Sequence, residues 1–303
     1  MNRFYILAVV MLFLLFGEYA RAIAEKPIQH SFLCSDPRGN KFASVSADGK
    51  VLWEYPAEMT QDIWKLPNGN ILFSYARGAR IITPNSRQVI WEYRSPDGTE
   101  VHTCQPLPGG NVLVGECGSK TLVEVNVEGK AVKVIPFQAN SDTHSQLRFA
   151  RKLKNGNYLL ALYGDQVVKE LAPDGKELRT ISVPGGPYCA LRLKNGNTLI
   201  SAGDAHRIIE VDKKDKVVWS IEEKELPGNT IQFAGGLQRL PNGNTVVCNW
   251  TGHSNNREQP LLFEVTRDKR VVWKYEQNPA FTTIMGITLL DVKGDVTKGQ
   301  IIR

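Results

Sequence analysis

One phrase, written six times, limits what this chain can become. Leu66-Pro67-Asn68-Gly69-Asn70 returns as Leu107-Pro108-Gly109-Gly110-Asn111, Leu153-Lys154-Asn155-Gly156-Asn157, Leu193-Lys194-Asn195-Gly196-Asn197 and Leu240-Pro241-Asn242-Gly243-Asn244. A worn copy closes the series at Val292-Lys293-Gly294-Asp295. The central glycines stand 41, 46, 40, 47 and 51 residues apart. Each copy is a turn with a chemical reason. Proline suits the second position of a type I turn, and glycine supplies the left-handed residue that closes a three-residue hairpin. Apolar runs follow the turns, as in Ile71-Leu72-Phe73 and Thr245-Val246-Val247, so each copy joins two strands.

A second phrase lies between the copies of the first. It runs from Asp48-Gly49-Lys50 to Trp53 and from Asn85 to Trp91. Later copies lie at Glu128-Gly129-Lys130, Asp174-Gly175-Lys176, Lys214 to Trp219 and Asp268 to Trp273. Two hairpins per repeat make four strands, and four strands in about 45 residues is one propeller blade. The chain opens on the second phrase and closes on the first. The expected fold is therefore all-β: a six-bladed β-propeller of four-stranded antiparallel blades, its ring closed by strands from both termini. One domain over 25–303 accounts for the repeat. Trp53, Trp91, Trp219 and Trp273 share one repeat position and are expected to pack between blades. Trp64 and Trp250 lie off that register and are freer for ligand contact.

Residues 1–24 read as a signal peptide. Arg3 precedes the apolar run Phe4 to Phe16, and Ala22-Ile23-Ala24 offers a cleavage site. At thirteen residues the run is short of the roughly 20 that span a bilayer. The expectation is a periplasmic or secreted monomer with no membrane span after cleavage. The five cysteines, Cys34, Cys104, Cys117, Cys189 and Cys248, are an odd number without metal-type spacing, so at most one disulfide is expected. The net charge of +6 comes without a basic run, which argues for no nucleic-acid partner and leaves anionic ligands open.

Topology sorts the rare residues. In a four-stranded meander both repeated turns fall on one face, so the irregular links share the other, where function tends to sit. Every histidine except His30 maps there. Eight residues before each turn glycine stand Gln61, His102, Arg148, Tyr188, Gly235 and Gly286. These should ring the channel mouth, with the glycines leaving room for a ligand against a polar wall. His102, His144, Arg148 and Tyr188 are the candidate catalytic residues. Gln61, Gln232, His206, Asn249 and His253 are candidate ligand contacts. His102 and His144 could share a metal, but no third ligand is apparent. No metal and no cofactor are expected.

Gly49-Lys50-Val51-Leu52-Trp53 resembles the end of the tryptophan-docking repeat of quinoprotein-like (PQQ-like) propellers. With the Leu-Pro-Asn-Gly-Asn turns and the later Val-Val-Trp strands, residues 41–297 resemble the bacterial propellers grouped with arylsulfotransferases. That resemblance implies a periplasmic propeller with histidines at the channel mouth, one of which carries a sulfuryl group while basic residues hold its oxygens. His102, His144 and Arg148 match in residue type. The chain is shorter than the eight-bladed quinone-dependent enzymes, and a bound quinone is not implied.

Three functions stay open. The first is an enzyme, a transferase or lyase, using histidine on a polar or anionic small molecule or glycan. The second is a carbohydrate- or ligand-binding propeller without catalysis. The third is a scaffold for protein partners, which the polar loops favour least.

Overall fold

The computed structural model describes residues 28–253 and 258–303, so the signal segment expected at 1–24 lies outside the described residues. Twenty-four strands form six four-stranded antiparallel sheets in a ring: a six-bladed β-propeller. Among the described residues the only helical pieces are three short 3-10 turns, and none is long and apolar enough to cross a membrane.

Blades two to six each use four consecutive strands. Their innermost strands are Ile63–Lys65, Glu100–Pro106, Leu147–Lys152, Pro187–Arg192 and Ala234–Arg239. Blade one is composite. Gly286–Leu289 is its innermost strand and pairs with Phe32–Asp36, followed outward by Lys41–Val45 and Val51–Pro56. Joining the two ends of the chain in one sheet ties the ring shut against the loss of entropy that closure costs.

The repeated turns take the conformation their residues ask for. Gly69, Gly156, Gly196 and Gly243 sit at φ of 86°, 89°, 88° and 89°. Each donates its amide to the leucine three residues earlier. The asparagine before each glycine accepts from the amide two positions on, as Asn155 does from Asn157 at 3.1 Å. The second hairpins carry a one-residue register shift beside the turn in all six blades.

Blades are joined by two devices. Trp91 Nε1 donates to the Asn126 carbonyl and Trp219 Nε1 to the Arg267 carbonyl, each at the second-phrase turn of the next blade. Third-strand glutamates reach basic side chains of the following blade: Glu124 to Lys152 at 2.6 Å, Glu170 to Arg192 at 2.6 Å and Glu264 to His30 at 2.7 Å. These carboxylates are largely buried, and each is paired, as burial of charge requires. All five cysteines are buried and unbonded to one another.

Candidate functional site

His102, Arg148 and Tyr188 hold the same place in three successive blades, and in each blade it is a β-bulge. Val101 pairs with Glu116 and Thr103 with Gly115, which skips His102. Arg148 is skipped between Leu147 and Phe149, and Tyr188 between Pro187 and Cys189. An extra residue in one strand bends it and re-aims the side chain. The three side chains line the top of the channel with Gln61.

The channel itself is closed. Tyr188 donates its hydroxyl to Gln61 Oε1 at 2.8 Å from three blades away. Burial raises the Tyr188 pKa well above its ordinary value, so the phenol stays protonated. The remaining space is about 10 Å³, the size of one water. The glycines do not open room for a ligand, contrary to the expectation from the sequence. A Cβ at Gly286 would lie 2.2 Å from the Gln61 carbonyl oxygen, and one at Gly235 would lie 2.9 Å from the Met285 sulfur. Glycine is needed there because backbone and Met285 already fill the place.

Above this floor a cavity of about 570 Å³ opens on the face of the irregular links. Its basic lining is the guanidinium groups of Arg38 and Arg148 with the imidazoles of His144 and His253, and its aromatic lining is Tyr163, Tyr188, Phe233 and Trp250. The two kinds of group are stacked. Arg148 lies over the Tyr163 ring at 5.3 Å and Arg38 over Trp250 at 5.5 Å. The His253 ring meets Trp250 edge-on at 4.6 Å. Asp204 takes the Tyr163 hydroxyl and lies 3.4 Å from His253 Nδ1. Tyr163 is pushed up by burial and by that carboxylate, and it too stays neutral.

His144 lines the cavity, and Glu100 and the buried His102 stand beside it. Glu100 Oε2 lies 2.8 Å from His144 Nδ1 and 3.2 Å from His102 Nε2. The two imidazoles are edge to face at 5.3 Å. Burial, with the Arg148 guanidinium beside it, pushes His102 down to about 4, against the pull of Glu100. It is therefore neutral near pH 7. Glu100 is held at about 2, chiefly by its hydrogen bond with His102 and further by His144, so it is ionised. His102 Nδ1 sits 3.0 Å from the Leu147 carbonyl and 3.3 Å from Arg148 Nη1.

Not every residue singled out in the sequence reaches this site. His206 Nδ1 is bonded to the Gln232 carbonyl, and the Gln232 amide donates to Asn249 Oδ1. Asn249 is fully buried and donates to the carbonyls of Thr230 and Pro260, so it clamps the links of blade six. None of the three lines the cavity. Trp64, read as free for ligand contact, is buried on the opposite side. It is packed against the guanidinium of Arg303 at 4.0 Å and that of Arg151 at 4.7 Å. A cavity of about 580 Å³ opens on that opposite face too, but its Arg151 and Arg192 are already paired with Asp62 and Glu170.

Glu100 was missed. Its signal was present, because residues two apart in a strand share a face, and Glu100-Val101-His102 presents that spacing. Arg38, Tyr163 and Phe233 carry no comparable mark, since loops from three blades meet only in the closed ring.

A six-bladed propeller with a charged and aromatic cavity over a closed channel defines the class. Residues 39–270 match the Mal s 1 allergenic protein-like family, and the chain belongs to that family. A crystal structure of a protein of unknown function from Bacteroides caccae is 31% identical, with a TM-score of 0.80. The match covers 87% of this chain and 100% of that one. Virginiamycin B lyase from Staphylococcus aureus, in a catalytically inactive form with quinupristin, is similar at 11% identity and a TM-score of 0.61, over 92% of this chain and 95% of that one. A streptogramin B lyase structure gives 12% identity and a TM-score of 0.61, over 90% and 89%. The two lyases show the shared fold alone. No curated protein matches the chain. The resemblance of the repeat to quinoprotein-like propellers accordingly stands for the propeller.

Proposed function

We propose that this protein binds a small organic anion with a flat apolar body in the cavity above the closed channel. The observation that carries the reading is the shared lining. Arg38, His144, Arg148 and His253 face the same 570 Å³ space as Tyr163, Phe233 and Trp250. That volume suits a ligand of drug size. Guanidinium groups offer forked donors to sulfate, phosphate or carboxylate oxygens, and aromatic faces take the apolar part. Aryl sulfates and uronate-containing glycans are the classes to try first. The test is titration followed by Trp250 fluorescence and calorimetry, with Arg148→Ala and Trp250→Leu beside the parent. Binding weakened about tenfold or more in both variants supports the reading. Equal binding in all three, or none of any anion, overturns it.

A second reading, catalysis on that ligand, is favoured by the Glu100–His144 pair. With no metal bound, a carboxylate 2.8 Å from Nδ1 would hold the imidazole with its proton on that nitrogen, leaving Nε2 as the base or nucleophile. His144 rather than His102 is then the reacting group, because His102 is buried behind it. Arg148 would hold negative charge on the ligand, and neutral Tyr188 would position it. That lyases adopt this fold supports elimination as readily as arylsulfotransferase-type transfer. Turnover of any donor in the panel, lost in His144→Ala with binding retained, is the supporting result. No turnover by the parent leaves a binding protein.

The reading places the protein in the periplasm or outside the cell, on the strength of the residue pattern in 1–24. Sequencing the amino terminus of exported protein tests it, and retention of Met1 to Ala24 would count against it.

A further inference from the structure

We propose that Glu100, His102 and His144 form a binding site for a divalent transition metal ion of the zinc or cobalt type. The inference goes beyond the organic ligand of the cavity and does not depend on it.

Three donor atoms converge: one each from Glu100, His102 and His144 lie within 4.8 Å of one another. Two of the separations are 3.2 and 2.8 Å. A tetrahedral ion with bonds of about 2.0–2.1 Å needs ligand atoms about 3.3 Å apart. The two contacts are within about 0.5 Å of that spacing, so a small outward shift of the side chains would admit the ion. Two imidazoles and a carboxylate make a set that suits zinc or cobalt better than the all-oxygen shells of magnesium and calcium.

The surroundings of His102 are a second, independent observation. Its Nδ1 lies 3.0 Å from the Leu147 carbonyl oxygen. A metal-binding histidine characteristically donates its other ring N–H to such a group. With the proton there, Nε2 is a lone pair aimed at a carboxylate oxygen 3.2 Å away, and the two repel unless a cation lies between them. With the proton on Nε2 instead, that N–H donates to Glu100 and the Nδ1 lone pair accepts from Arg148 Nη1 at 3.3 Å, which is how the site is held without an ion. A cation at the focus takes the Nε2 lone pair and leaves the Nδ1 proton for the Leu147 carbonyl, at the expense of the contact with Arg148.

The scaffold is built for one ion. Glu100 and His102 come from a single strand, bulged at His102, and His102 is 1% exposed. His144 comes from the 3-10 turn Thr143–Ser145, capped by the Asp142 side chain on the Ser145 amide. Its ring is half exposed and lines the cavity, so an open fourth position would face water or a ligand oxygen. One charge opposes the ion. Arg148 Nη1 is 3.3 Å from His102 Nδ1, although the guanidinium also has the Tyr163 ring to stack on. The proposal therefore makes an unusual demand: removing Arg148 should strengthen metal binding.

Protein stripped with a chelator is titrated with zinc by calorimetry and with cobalt by visible absorption. One ion per chain is expected, with the d–d bands of a nitrogen- and oxygen-bound cobalt. Zinc affinity should fall at least about tenfold in Glu100→Gln and in His144→Ala, and rise in Arg148→Gln. His144 is half exposed on a surface turn, so His144→Ala tests the site even where Glu100→Gln disturbs folding. No cobalt bands, or zinc affinity unchanged in both ligand variants, would overturn the proposal. Neither titration needs an organic anion, so failure here leaves the cavity reading standing, and failure of the anion titration leaves the metal site standing.

Discussion

The hydroxyl of Tyr188 and the amide oxygen of Gln61 meet at 2.8 Å from opposite sides of the ring, and this bond closes the channel below the cavity. Both residues are nearly inaccessible to solvent. Tyr188→Phe should leave Gln61 buried without that donor and cost about 1–3 kcal/mol in urea unfolding. The double variant Tyr188→Phe, Gln61→Leu removes both polar ends and should recover part of the loss. A Tyr188→Phe protein as stable as the parent would show that the bond contributes nothing.

Acid should weaken the fold through His102. The residue binds its proton near 6.5 in the unfolded chain and only at about 4 in the folded one. Between those values the unfolded chain holds more protons, so stability rises with pH across the window. Descending from pH 6.5 to 4 should cost about 3 kcal/mol from this residue. His30, raised by Glu264 and Asp291 against its burial, titrates with the opposite sign, so the measurement is the difference between parent and His102→Gln. That difference should narrow as pH falls from 6.5 to 4. Parallel pH profiles would contradict the assignment.

Gly243 isolates the backbone contribution of a repeated turn. It sits at φ 89°, and a Cβ built there meets nothing within 4 Å. Gly243→Val should still lower stability by about 1–3 kcal/mol, because a β-branched residue is strained at positive φ whatever the space. A thermal midpoint unchanged by the substitution would argue against the left-handed turn.

Asp62 gathers two buried guanidinium groups. Arg151 Nη1 reaches it at 2.8 Å and Arg303 Nη2 at 3.1 Å. Burial pushes Arg303 down to about 10, still charged at neutral pH. Asp62→Asn would leave both cations without a counter-charge and should cost about 3–5 kcal/mol. Equilibrium unfolding measures it, and a loss below about 1 kcal/mol would mean that water already shares their solvation.

The turns, the blade number and the composite first blade were legible in the chain because each depends on local chemistry repeated at a period. Glycine after asparagine permits a left-handed residue wherever it occurs, and alternating apolar residues pair into strands without reference to distant positions. The ring positions of His102, Arg148 and Tyr188 followed from counting back along one strand. What occupies the ring was decided by tertiary structure. Tyr188 reaches Gln61 across 127 positions of sequence. Gly235 and Gly286 admit Met285 and a neighbouring backbone rather than a ligand. Asn249 and His206 face inward to hold links, while Arg38, Tyr163 and Phe233 meet Trp250 and His253 around the cavity. Such contacts join residues from different blades, and no periodicity encodes them. They exist only when closure of the ring brings six sets of unlike loops to one mouth, so the chain by itself determined the propeller and the folded ring determined the site.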